Sequence, residues 1–162
     1  MSAAQGYAQA QNNLGILYEY GDGVPQSYET AVSLYEKSAE QGNATGMYYL
    51  GDMYENGKGV ETSYETAAQY YQKAADKGHP RAQARLGVLY EYGNGVPQSY
   101  ETAVLYYQLS ADQGYGPAQY YLGDMYEYGK GVEQSLEMAI YYYQLAADQG
   151  IEDAAARLKE LR

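Results

Sequence analysis

Ala10-Gln11-Asn12-Asn13-Leu14-Gly15-Ile16-Leu17-Tyr18-Glu19-Tyr20-Gly21-Asp22-Gly23-Val24 is the stretch that decides the fold. Ala10, Leu14, Leu17 and Tyr18 fall at i, i+4, i+7 and i+8, a spacing that gathers apolar side chains on one helical face. Gly21-Asp22-Gly23-Val24-Pro25 interrupts that pattern with residues suited to a turn. Beyond it, Ser27 stands where an N-cap is needed, and Glu29 lies in the first turn, facing the positive end of the helix dipole. Ala31, Leu34, Tyr35, Ser38 and Ala39 make a second helical face, and Gly42 ends it at a position suited to positive φ. The segment is one helix–turn–helix.

The pattern returns every 36 residues. Leu14, Leu50, Leu86, Leu122 and Leu158 keep this step, as do Gly15, Gly51, Gly87 and Gly123, and Gly42, Gly78, Gly114 and Gly150 close the units. Self-similarity at such a period is the mark of a stacked repeat, in which no single helix pair can bury its apolar face alone. Four full units run 7–42, 43–78, 79–114 and 115–150. Residues 1–6 align with the tail of a unit, and 151–162 read as a C-terminal capping helix, so 1–162 is one solenoid domain. A longer period of 72 lies on top: residues 15–42 match 87–114 at 21 of 28 positions but match 51–78 at only 15 of 28. The register predicts nine helices, near 7–20, 28–41, 44–56, 64–77, 80–92, 100–113, 117–128, 136–149 and 152–161. The helix-interior glycines, each costing roughly 1 kcal/mol against alanine, imply close approach of a neighbouring helix, facing alanines such as Ala39.

The repeat Ala-x-x-x-Leu-Gly-x-x-Tyr-x-x-Gly-x-Gly-Val, whole at Ala10–Val24 and followed by Ala31 and Ala39-x-x-Gly42, resembles the Sel-1-like repeat, a relative of the tetratricopeptide repeat with a longer inter-helix loop. The second unit departs from it at Gly46, where the family has alanine. The resemblance implies an all-α, right-handed αα-solenoid of stacked hairpins and a role as adaptor or scaffold. Disulfide-rich bacterial members carry a cysteine pair in each unit. This chain has no cysteine, so β-lactam binding, which belongs to that subgroup, is not carried over.

Composition narrows the work the chain can do. Lys plus Arg is 10 and Asp plus Glu is 21, for a net charge of -11. Such a chain repels nucleic acid and anionic membrane surfaces, and no apolar run is long enough to span a bilayer. Without cysteine there is no thiolate nucleophile or thiolate metal site, and the single histidine, His79, rules out a multi-histidine site within the chain. The compartment stays open. Tyr numbers 24, with no Phe or Trp, so tyrosine supplies the core aromatics and the surface ones alike, its ring packing while its hydroxyl reaches a partner.

The motifs read mostly as framework. Gly21-Asp22-Gly23 and its copies lack the preceding strand and third glycine of a dinucleotide loop. Ser27, Ser63, Ser99 and Ser135 precede helices as caps, and His79 reads as a cap or an exposed residue. The recurring Glu19, Glu55, Glu91 and Glu127 read as carboxylates meeting loop amides or water, with no converging oxygen ligands for a hard cation. No enzyme activity, cofactor or metal is expected.

Binding residues are sought where the stacked copies differ. Counting from Leu14, the offsets outside core and loop are those of Asn12, Asn13, Ile16, Glu19 and Tyr20. Among their copies, Tyr48, Tyr49, Asp52, Arg85, Glu91, Tyr92, Tyr120, Tyr121, Asp124, Glu127 and Tyr128 are expected to form a concave, acidic, tyrosine-rich groove. By resemblance to tetratricopeptide arrays, the first helix of each unit should line it. Its partner would be a protein or peptide segment with basic residues and apolar anchors, with no nucleic acid and no membrane insertion. An engineered or consensus-like repeat scaffold without a natural ligand is the alternative that the near-copy at 72 residues leaves open.

Overall fold

The computed structural model describes residues 3–161. Among them are nine α-helices and no strand: α1 (Ala3–Tyr20), α2 (Tyr28–Glu40), α3 (Ala44–Asn56), α4 (Tyr64–Ala75), α5 (Pro80–Tyr92), α6 (Tyr100–Ala111), α7 (Gly116–Tyr128), α8 (Leu136–Ala147) and α9 (Glu152–Leu161). The all-α class and the number of helices agree with the register. Contacts between Cα atoms group the chain into two compact units, Met1–Ala82 and Gln83–Arg162. In the first, α1 pairs with α2, α2 meets α3, and α3 pairs with α4. In the second, α6 meets α7, α7 pairs with α8, and α8 meets the cap α9.

Local chemistry sets the helix ends. Ser27, Ser63, Ser99 and Ser135 each accept a hydrogen bond from the backbone N–H three residues on, as N-caps should. The second helix of each repeat stops one or two residues earlier than periodicity predicts. The reason is the glycine turn: at the first, Gly42 takes φ +78° and donates to the Ala39 carbonyl, while Asn43 N–H turns back to Ser38. Each inter-helix loop is tied down in the same way. Ser27 N–H donates to the Tyr18 carbonyl at 2.9 Å, and the copies from Ser63 to Tyr54, Ser99 to Tyr90 and Ser135 to Tyr126 have the same length.

Tyrosine forms the core between paired helices. Tyr35, Tyr71, Tyr107 and Tyr143 are fully buried. Each lies against the interior glycine of the helix before it: a Cβ on Gly15 would meet Tyr35 Cε1 at 2.5 Å, and one on Gly51 would meet Tyr71 Cε1 at the same distance. The close approach is thus real, but the facing group is a tyrosine ring and not Ala39. The absence of a Cβ on glycine makes room for a flat ring that the methyl group of alanine would displace.

Two expectations at the N-terminal side are corrected. Helix α1 begins at Ala3 and not near residue 7, and Gly6 lies inside it instead of forming a turn like Gly42, since no described helix precedes it from which the chain would turn. Residues 1 and 2 of the supposed repeat tail lie outside the described residues. Leu14 is 40% exposed, whereas its copy Leu50 is 1% exposed. Leu50 sits on α3, which packs on α2, while no described helix covers Leu14 from the same side.

Candidate functional site

The first helix of each repeat carries two kinds of residue at its variable offsets, some turned inward and some left open. Glu19 is of the first kind. Only 4% exposed, it accepts the Tyr35 hydroxyl on Oε2 at 2.9 Å and pairs through Oε1 with Lys58 Nζ at 2.8 Å. Glu91 repeats the arrangement with Tyr107 at 2.9 Å and Lys130 at 3.1 Å. Glu127 accepts from Tyr143 at 2.6 Å and pairs with Arg157 of the cap helix. Glu55 accepts from Tyr71 at 2.6 Å. Burial foremost, with the adjoining carboxylates, pushes the phenols of Tyr35, Tyr107 and Tyr143 far above their ordinary range. The hydrogen bond to Glu19 raises Lys58, and that to Glu91 raises Lys130.

Glu19, Glu91 and Glu127 are therefore buried against a phenol and a cation instead of facing water. Glu91 and Glu127, expected to set an open negative field, are buried and held by a phenol and a cation each. The first of the five offsets is also corrected at two copies: Asn12 and Ala84 are buried, and Asn12 donates to Asn43 Oδ1 at 2.9 Å.

The residues left on the open side are mostly tyrosines seated on the buried ones. In the first unit the Tyr49 ring stacks on Tyr35 with centroids 4.8 Å apart and an interplanar angle of 22°. Tyr48 lies 5.8 Å from Tyr71 and stacks on His79 at 5.0 Å. His79 serves as the cap expected of it, accepting from Ala82 N–H at 3.3 Å, and burial, with Arg81 second, lowers its pKa. Ile16, Glu19, Tyr20, Tyr48, Tyr49, Asp52 and Arg81 enclose a depression of about 200 Å³. Burial raises the Tyr49 phenol, with Arg81 pulling the other way.

The second unit repeats the plan. Tyr121 lies on Tyr107 at 5.0 Å and Tyr120 on Tyr143 at 5.8 Å. Burial, then Asp124, pushes the Tyr120 phenol up to about 12, and burial raises Tyr121 against the opposing pull of Arg85. Asp124 is half-buried beside Tyr143, whose hydroxyl lies 2.7 Å from Oδ1, and burial raises its carboxyl. Tyr92 is open, and Tyr128 is open while its hydroxyl takes Arg157 at 2.8 Å.

Of the expected site residues, then, Tyr48, Tyr49 and Asp52 share the first unit's depression, which also draws in Ile16, Glu19, Tyr20 and Arg81. Arg85, Tyr92, Tyr120, Tyr121, Asp124 and Tyr128 belong to the second unit. Sequence reasoning missed the cations that neutralise the glutamates, although one signal was available. Lys58 and Lys130 recur at the centre of the Gly-x-Gly loop in alternate units, where the others have Asp22 and Asn94. Among the described residues no cluster of His, Asp and Glu could hold a metal ion, and no helix is long and apolar enough to cross a membrane.

The model of the Sel1 repeat matches four times, at residues 8–43, 44–79, 80–115 and 116–151. A protective antigen of uropathogenic Escherichia coli with an SLR fold is 36% identical, with a TM-score of 0.87 over 96% of this chain and 33% of its own. A Sel1 repeat protein from Oxalobacter formigenes is 35% identical, with a TM-score of 0.86 over 96% of this chain and 64% of its own. Cysteine-rich protein B of Helicobacter pylori is 28% identical, with a TM-score of 0.57 over 72% of this chain and 89% of its own. The chain thus spans a third of the first relative and just under two thirds of the second. No curated protein matches the sequence. The likeness carries the solenoid class of these structures to this fold.

Proposed function

The chain belongs to the Sel1 repeat family, a family of protein–protein interaction modules, and from that premise we propose that it is a non-catalytic adaptor that grips a protein segment on the tyrosine face of each unit. The observation that carries this reading is the seating of Tyr48, Tyr49, Tyr120 and Tyr121. Each is held by a buried tyrosine beneath it while remaining only half-covered. A ring already immobilised loses little entropy when a partner covers its other side, which favours tyrosine as a binding anchor.

The partner is a segment with apolar anchors to cover the rings and basic residues to meet Asp52 and Asp124. Because Glu19, Glu91 and Glu127 carry their own cations, the field on this face is weaker than the net charge suggests, and Arg81 and Arg85 temper it further. Salt should weaken association, but gently.

A synthetic peptide alternating arginine and leucine tests the reading. Tyr20→Ala and Tyr92→Ala remove open rings that support no core contact, so each should weaken binding by roughly fivefold while leaving the melting temperature in place. An affinity indifferent to both changes and to salt would overturn the proposal. Absence of binding by any basic, acidic or apolar peptide would leave the chain a bare scaffold.

A further inference from the structure

The 72-residue period supplies an internal control. Helix α2 carries Ser33 and Lys37 on its outer side, and α4 carries Gln69 and Lys73. The same register positions in the second unit are Leu105 and Leu109 on α6, and Tyr141 and Leu145 on α8. Three of these stand open: Leu105 is 57% exposed, Leu109 43% and Tyr141 54%. The repeat therefore folds with polar residues at these positions, and the three open side chains are not needed for stacking, whereas Leu145 is half-buried against the core. A helix that is apolar all round is ordinarily covered on every side, and open apolar patches of this kind mark interaction sites.

The two stripes are neighbours, because the Tyr142 hydroxyl on α8 donates to Gln108 Oε1 on α6 at 3.0 Å. They form a shallow strip along two helices, the setting in which an amphipathic helix lays down its apolar face. Charge selects the occupant. Neither α6 nor α8 contains Lys or Arg, while Glu101 and Asp112 bracket α6 and Glu137 and Asp148 bracket α8. A second copy would bring these acids against their equals, and an anionic bilayer would be repelled. We infer that the outer side of α6 and α8 docks an amphipathic helix of another protein, its apolar stripe flanked by lysine or arginine, independently of the tyrosine face.

The probe is a synthetic helix with leucine on one side and flanking lysines, compared with a glutamate-flanked analogue, on the full chain. The lysine form should bind and the glutamate form should not. Leu105→Ser/Tyr141→Gln installs residues that the first unit carries in the same register and leaves the charge unchanged. It should lower affinity by roughly tenfold or more, with the circular dichroism spectrum retained. Tyr92→Ala should leave this binding intact, which separates the outcome from that of the tyrosine face. Should the double variant unfold, Leu105→Ser alone carries the test. Equal binding by the variant, equal binding by the glutamate form, or loss through Tyr92→Ala would overturn the inference. So would self-association of the wild-type chain that the double variant abolishes, which would make a second copy the occupant, or adsorption to phosphatidylserine vesicles through these residues.

Discussion

The ring of Tyr35 occupies the space that a side chain on Gly15 would need: a Cβ there would stand 2.5 Å from Cε1. The same pair recurs as Gly87 with Tyr107 and Gly123 with Tyr143, so every repeat is closed by a glycine and a tyrosine on consecutive helices. The ring cannot yield easily, because its hydroxyl is held by the glutamate four residues beyond that glycine.

Gly87→Ala should therefore destabilise the protein by about 1–3 kcal/mol through overpacking, and Gly87→Leu by more. Gly6→Ala is the control: it lies in α1, and a Cβ there meets no atom within 4 Å, so it should be neutral or stabilise by up to roughly 1 kcal/mol. Urea denaturation reads both. Equal midpoints for Gly87→Ala and wild type would refute the role given to the ring.

Tyr107→Phe keeps the ring but removes the hydroxyl from buried Glu91. A hydrogen bond to a charged group contributes about 1.5–3 kcal/mol, and the phenylalanine variant should lose an amount in that range. Tyr92→Phe, whose parent side chain is open, should lose nothing measurable. Similar losses for the two would show that Glu91 draws no support from Tyr107.

The legible part of the fold is what depends on residues close in sequence. Apolar spacing places nine helices to within a few residues, and Ser27, Ser63, Ser99 and Ser135 cap as read. The partner of Gly15 was not legible, because periodicity says which residues face inward but not which of Tyr35 and Ala39 reaches the glycine. The role of Glu19 was hidden for a related reason. Its cation, Lys58, lies in the loop of the next repeat, and only stacking brings the two together. The variable tyrosines were found by comparing copies, yet their seating on buried rings is a tertiary fact that comparison alone does not reveal. The contrast of Leu105 and Leu109 with Ser33 and Lys37 was in the sequence throughout. Its meaning depends on knowing that these side chains are open.

Raised phenols at Tyr35, Tyr107 and Tyr143 have a consequence at alkaline pH. Their folded pKa values exceed the unfolded value of about 10, so above that pH the unfolded chain sheds protons that the folded chain keeps. The stability they contribute is whole below about pH 10 and declines as pH rises further. Denaturation midpoints should fall steeply in that range, and Tyr35→Phe/Tyr107→Phe should flatten the fall. A midpoint that stays level to roughly one pH unit above the free phenol would contradict it.

His79 gives a sharper titration. It is half-buried against Tyr48 and caps α5 through a nitrogen that must be unprotonated to accept. Its pKa should lie below the free value of about 6.5, as read from the single histidine signal in an NMR titration. The unfolded chain then binds more protons in mild acid, so stability from this residue is present near neutrality and lost as pH falls. A pKa at or above the free value would show the ring to be solvated and not capping.

The central claim is that the half-seated tyrosines form the binding face, and amide chemical-shift mapping of the full chain during titration with the arginine–leucine peptide tests it most directly. Perturbations should centre on Tyr48, Tyr49 and Asp52 in one unit and on Tyr120, Tyr121 and Asp124 in the other, and should shrink as salt rises. Saturable binding that leaves all six amides unmoved would contradict it.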